Sequence, residues 1–385
     1  MKLRKKSLKI IIIIIILLIV LGGISYWILS EDIFNLNNKN NETDNKPLFI
    51  NNTNAPEFIH GGDYGKSYSF SLGYIVETEK NTINTIEGME NYKFKTEYFL
   101  PTSWKALEGY HSPSQYWYNV QAIAIQDKYM YILSSSGYDA NRGFIVRYDM
   151  DLLNKHNANN EEGIWKLRRL GLDIYHGYQL TEDQKELKKA IKIGPIFNTG
   201  HGQSLSYNPQ TQSLWMWQDD GSEGKAKLMH INNDTLKPDR IYGVSAKVNN
   251  RTVTSFHNLA FDNEGNFYTD SVKRTENNPN GYATIFTGRV INDTVEMRPL
   301  LTIQNRPGTY SQAIAVNNVN NRLYLVSDGV FYSIPIDKLR SKNLTQDDFE
   351  YYVFDTNREF EGLSFDSEGN GYLLVIRGSE VLKSI

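Results

Sequence analysis

The sequence predicts an all-β fold: a five-bladed β-propeller, its ring closed by an N-terminal strand and preceded by one N-terminal transmembrane helix. Three observations predict it. One short strand motif recurs five times. Further strand patterns follow each copy, at a repeat spacing of about 50 residues, which is a propeller-blade period. The last copy runs out of chain after its third strand. The composition agrees, because 25 tyrosines, 17 phenylalanines and 6 tryptophans favour strands over helices.

The recurring first strand reads "QAIAIQ" from Gln121, "QSLSYN" from Gln203, "HNLAFD" from His257, "QAIAVN" from Gln312 and "EGLSFD" from Glu361. A turn and a second strand follow each copy: "YMYILSS", "SLWMWQ", "NFYTDS", "RLYLVSD" and "GYLLVI". Two of the turns, "DNEGN" and "DSEGN", are strongly turn-forming. Third strands read "GFIVRYD", "AKLMHIN", "YATIFTG", "GVFYSIPI" and "EVLKSI", and the first four copies have fourth-strand candidates in "AIKIGPIF", "DRIYGVSAKV", "EMRPLLTI" and "EYYVF". The missing outer strand of the last blade is expected from "NYKFKTEYF", Asn91–Phe99, which would protect both sheet edges. A β-sandwich offers no reason to repeat one strand five times.

An insertion at about 152–192 separates the first two copies. It holds one expected helix, "TEDQKELKKAI", with Thr181 as N-cap and Gln184 three residues on. The basic run "WKLRRLG" just before it reads as a solvated face, and the aromatic-dense Gly109–Gln121 as packing or a sugar- or protein-gripping surface.

First strands of propeller blades line the central channel, so equivalent positions form rings. The leading position gives Gln121, Gln203, His257, Gln312 and Glu361. The next gives Ala122, Ser204, Asn258, Ala313 and Gly362, small residues suited to a crowded axis. Candidate ligand-binding residues at the channel mouth are therefore Gln121, Gln203, His257, Asn258, Gln312 and Glu361. Two explanations stand side by side: these groups cap the channel by bonding one another and water, or they bind a ligand. The ring supplies one carboxylate where a glycosidase needs two. Asp149, Asp270 and Asp328 lie at other strand ends, with no spacing that makes them converge. No catalytic residue is assigned. No metal site is expected either: His201 and His257 lack paired spacing, and the turns lack the full calcium-loop pattern. No cofactor is expected, Ca²⁺ being the one ion the ring oxygens suit.

The remaining chain sets location. Lys2, Arg4, Lys5, Lys6 and Lys9 precede an apolar run over residues 10–29, about 20 residues and enough to span a bilayer. The basic side stays cytoplasmic, so the expectation is a single-pass cell-membrane protein with the propeller outside. If the segment is cleaved as a signal peptide, the domain is secreted. Residues 1–30 form the cytoplasmic tip and anchor, 31–55 an Asn-rich flexible linker, and 56–385 the propeller. A net charge of −3 points away from nucleic acid, and zero cysteines exclude disulfides and thiolate chemistry.

"GHGQSLSYNPQTQSLWMW", "YSQAIAVNNVNNRLYLVSDGVFYSIPI" and "REFEGLSFDSEGNGYLL" resemble the helveticin J-like family, large bacteriocin-like proteins of Gram-positive bacteria. The resemblance covers roughly Gln121 to Ile385. It implies an antibacterial protein acting at the envelope of related cells. The expected function is thus a membrane-anchored or secreted bacteriocin-like protein that binds a cell-wall polymer or envelope protein through a propeller surface, not by turnover. Two alternatives stay open: a hydrolase acting on glycans or lactones, with or without Ca²⁺, and a non-catalytic extracellular scaffold.

Overall fold

The computed structural model describes residues 46–56, 76–101, 119–135, 141–219, 225–275, 278–306, 308 and 310–385. The expected anchor at 10–29, most of the 31–55 linker and residues 109–118 of the aromatic run lie outside the described residues. Among the described residues no helix is long and apolar enough to cross a membrane.

Short apolar runs broken by Asn, Asp and Gly turns fold into five antiparallel blades. Blade 1 runs Val120–Gln126, Tyr129–Ser135, Arg142–Asp149 and Ile191–Ile193. Blade 2 is Ser206–Asn208, Ser213–Gln218, Ala226–Asn232 and Lys237–Val244, and blade 3 is Ala260–Phe261, Asn266–Thr275, Asn278–Ile291 and Thr294–Gln304. Blade 4 is Ala313–Asn317, Arg322–Ser327, Val330–Pro335 and Glu350–Val353. Blade 5 is Phe360–Phe365, Gly371–Val375 and Glu380–Ser384, and its last strand pairs antiparallel with Lys93–Phe99, with Val381 opposite Tyr98.

The core is divided among the blade interfaces. Ile123 and Phe144 meet Tyr372 and Leu374 between blades 1 and 5. Leu133 and Ile145 meet Leu214 and Met216 between blades 1 and 2. Trp217 and Leu228 meet Phe267 and Phe286 between blades 2 and 3. Tyr268 and Ile285 meet Leu325 and Ile334 between blades 3 and 4, and Val326 and Phe331 meet Leu373 and Leu382 between blades 4 and 5. Every blade thus buries both faces against its two neighbours, which closes a ring of five.

The repeat motif has a physical reason at each position. Gly362 approaches the blade 1 strand so closely that a Cβ would lie 2.9 Å from Ile123 Cγ2. Serine at the fourth position crosses between blades: Ser364 Oγ accepts from Ile125 N at 3.1 Å and Ser206 Oγ from Phe261 N at 3.2 Å. The closing Asn or Asp holds the turn. Asp262 Oδ1 accepts from Glu264 N and Asn266 N, both at 2.9 Å, and Asp366 Oδ1 does the same for Glu368 N and Asn370 N.

Three sequence expectations are corrected. The first concerns the linker, which does not extend to residue 55. Leu48–Asn51 adds a parallel strand to blade 3, opposite Leu301–Gln304, with Ile50 buried. Tyr351 Oη donates to Asn52 Oδ1 at 2.7 Å just beyond it. The surrounding asparagines masked one short apolar strand. Second, the insertion contains not one helix but three: α1 (Met150–Lys155), α2 (Lys166–His176) and α3 (Glu182–Lys188). The Thr181–Gln184 capping box of α3 is present as expected. Helix α2 has no side-chain cap at Trp165 and a mid-helix glycine, so its start carries no sequence signal. Third, the basic run in α2 is not a solvated face throughout. Arg168 is buried over the Phe99 ring at 3.9 Å and donates to Gly378 O and to Glu77 O. Burial lowers its pKa to about 10.

Candidate functional site

The channel mouth is a cavity of about 830 Å³. Five of the six expected residues line it: Gln121, Gln203, His257, Gln312 and Glu361. Asn258 stands behind the wall, fully buried, donating to Asp270 Oδ1 at 2.9 Å and Ser311 Oγ at 2.8 Å.

Local backbone geometry aims two of these side chains. The ladder between the first and second strands slips at Val120/Ala122 in blade 1 and at Phe360/Gly362 in blade 5. Gln121 and Glu361 are the extra residues of these bulges. A bulge breaks the pairing and turns its extra side chain, here toward the axis. Glu361 is 4% exposed, and its Oε2 accepts from Gln203 Nε2 at 2.8 Å. The same Gln203 amide donates to Gln312 O at 3.0 Å. Gln121 Nε2 is turned back to Val120 O at 3.1 Å, leaving Oε1 buried with no hydrogen-bond partner among the described residues. A buried acceptor without a donor is costly, and it marks a position a ligand donor would satisfy.

A second ring supports the first. Asp219 and Asp328 directly follow the second strands of blades 2 and 4, and Asp270 lies within the second strand of blade 3. Asp219 Oδ2 meets His257 Nδ1 at 3.1 Å while its Oδ1 accepts from Gly202 N at 3.0 Å. Asp270 holds Asn258, and Ser311 Oγ donates to its Oδ2 at 2.6 Å. Asp328 Oδ1 accepts from Phe360 N at 3.1 Å and Gln312 Nε2 at 3.4 Å. In blade 5, Arg377 follows the second strand by two residues and pairs with Glu359 at 2.5 Å. Asp149 takes no part: it caps α1 and pairs with Lys128 at 2.9 Å.

The surroundings favour the neutral form of Glu361. Burial pushes its carboxyl well above the usual range, and Glu359 and Asp328 raise it further against the pull of Gln203 and Arg377. Glu359 is also raised, chiefly by burial, with Arg377 opposing. His257 moves up as well: its bond to Asp219 outweighs burial, and the Asp219 and Asp270 charges add to it. The cavity therefore holds a carboxyl whose neutral form is favoured, beside ionisable partners, an arrangement suited to proton transfer.

Sequence reasoning found the inner ring but not Asp219, Glu359, Arg377 and His201, which also touch or support the cavity. Part of their signal was available in the repeat: His201 and Glu359 each stand two residues before a ring lead, as Asn119 and Tyr310 do, and Asp219 directly follows a second strand. The three-carboxylate cluster of Glu361, Glu359 and Asp328 replaces the single ring carboxylate expected. Among the described residues no group of three His, Asp or Glu side chains is placed to hold a metal ion.

No family model matches the sequence, and no curated protein matches it. Solved structures with similar chains include a candidate gluconolactonase at 13% identity and TM-score 0.30, covering 47% of this chain. This chain spans 56% of the length of that protein. A glucose dehydrogenase aligns over 80% of this chain and 98% of its own at 10% identity and TM-score 0.38, and a streptogramin B lyase over 71% and 94% at 11% identity and TM-score 0.32. Likeness of this degree assigns no activity.

Proposed function

We propose that this chain is a propeller hydrolase that takes a hydroxyl-rich substrate, a glycan or a lactone, into the channel mouth. One observation carries the reading: Glu361 is a buried carboxyl, favoured in its neutral form, facing an 830 Å³ cavity. A neutral carboxyl donates a proton to a leaving oxygen, the role of a general acid. Gln203 holds it in one orientation, and Gln121 Oε1 is the acceptor that a substrate hydroxyl fills. With residues 10–29 as an anchor, the substrate is one found at the cell surface.

A binding-only reading, the helveticin J-like one, has its own support. Asp328 Oδ1 is already committed to Phe360 N and Gln312, as a structural carboxylate would be. In that reading the cavity captures an envelope glycan without turnover.

One experiment separates them. The full chain is assayed against chromogenic glycosides and lactones, and binding to cell-wall polymer is measured alongside. The hydrolase reading predicts turnover that Glu361→Gln lowers by about 10²–10⁴-fold with binding retained. Binding without turnover in the wild type contradicts it, and turnover indifferent to Glu361→Gln contradicts Glu361 as its acid.

A further inference from the structure

We infer that the channel rim carries a serine nucleophile, Ser255, activated by His257 and Asp219, and that the substrate class is the carboxylic ester, lactones included. The inference rests on the hydrolase reading above and narrows it from glycosidic to acyl bonds.

The geometry comes from one wedge and its flanks. Phe256 is buried, packed on Trp217 at 5.1 Å and Phe286 at 5.3 Å between ring centroids. Its neighbours on either side, Ser255 and His257, meet each other: Ser255 Oγ lies 3.3 Å from His257 Nε2. The other imidazole nitrogen, Nδ1, lies 3.1 Å from Asp219 Oδ2. The Asp219 side chain is 1% exposed against 45% for His257, and Gly202 N–H fixes its second oxygen. A nucleophile, a base reaching it through Nε2, and a buried carboxylate orienting that base through Nδ1 is the constellation of serine hydrolases, which is recognised by geometry and not by chain order. His257 lines the cavity and Ser255 is exposed beside it, so an acyl group held at the mouth can reach Oγ. Neither the ring motif nor the second-strand position requires a serine two residues before the ring histidine. The fold alone leaves this residue free.

The chemistry closes without a further reactant. Ser255 Oγ bonds to the carbonyl carbon as its proton passes to His257 Nε2. The ester C–O bond then breaks, and that proton leaves on the departing alcohol oxygen. Water next gives a proton to Nε2 while its oxygen bonds to the acyl carbon. The acyl–Oγ bond breaks, and Oγ recovers the proton. Asp219 stays ionised throughout and stabilises the imidazolium formed in each half.

The test uses the full chain and a fluorophosphonate probe, read by intact mass and peptide mapping. The expected result is one adduct, on Ser255, absent in Ser255→Ala and slowed at least tenfold in Asp219→Asn. p-Nitrophenyl acetate hydrolysis should fall in the same variants. Ser255 is exposed, so the alanine variant keeps the fold, which circular dichroism checks. Absence of labelling in the folded wild type, or labelling that persists in Ser255→Ala, overturns the assignment. If labelling fails while Glu361-dependent turnover persists, the serine falls and the hydrolase reading stands. If Ser255 is labelled while Glu361→Gln turns over normally, the serine stands and the acid falls.

Discussion

The channel mouth is governed by which protons its side chains hold. For Glu361 the sign follows from linkage. Its folded pKa is raised above the unfolded value, so the folded state binds the extra proton. Stability from this group is full below the unfolded carboxylate pKa and is lost as pH rises through the folded value. Gln keeps the Gln203 bond, since its carbonyl oxygen accepts where Glu361 Oε2 does. Glu361→Gln should therefore raise the melting temperature at pH 8 and lose that advantage toward pH 4. A variant equally or less stable than wild type at pH 8 contradicts a desolvated carboxyl. His257 gives the opposite profile in rate. Asp219 and Asp270 hold its pKa above the usual value near 6.5, so the neutral, base-competent form gains as pH rises through a higher midpoint. Probe labelling should follow that midpoint, and Asp219→Asn should move it down.

At the scale of the element, each repeat is one strand whose six positions have separate duties. The second lies close to the neighbouring blade, and a Cβ on Gly362 would stand 2.9 Å from Ile123 Cγ2. Gly362→Ala forces Ile123 and the blade 5 bulge to move and should cost about 1–3 kcal/mol in denaturant unfolding. A neutral result would mean that the blades are not in close contact there. This division explains what was legible from sequence. The hairpins, their turn acids and the ring of polar leads all follow from short-range periodicity, and the structure reproduces them. Helix α2 was hidden because its stability comes from Leu167, Leu170 and Arg168 packing against a distant blade, not from a cap. Leu48–Asn51 was hidden for the same reason: its partner lies some 250 residues away, beside Thr302 and Ile303. Asp219 and Ser255 could not be paired from sequence, because only the blade 2–blade 3 interface brings them to one histidine.

At the scale of the molecule, the strand before the first blade is held to the last by charge as well as by ladder bonds. Arg358 and Glu380, 3% and 1% exposed, pair at 2.8 Å. Thr96 Oγ1, on the N-terminal strand, donates to Glu380 Oε1 at 2.7 Å, and Arg358 reaches Asn81. Removing one partner leaves the other charge buried, a loss of about 3–5 kcal/mol. Glu380→Gln should therefore lower stability by that order, and Arg358→Met combined with Glu380→Leu should recover much of it. If the single variant unfolds at the wild-type denaturant midpoint, the network does not hold the ring. A rigid ring matters to the site because its groups come from all five blades, and sub-ångström drift between blades would separate Gln203 from Glu361. The most direct test of the account is the protonation state of Glu361 in the intact protein. An infrared difference spectrum between wild type and Glu361→Gln at pH 7 should show a protonated carboxyl band in the wild type alone. An ionised carboxylate band in its place would contradict the claim on which the proposed chemistry stands.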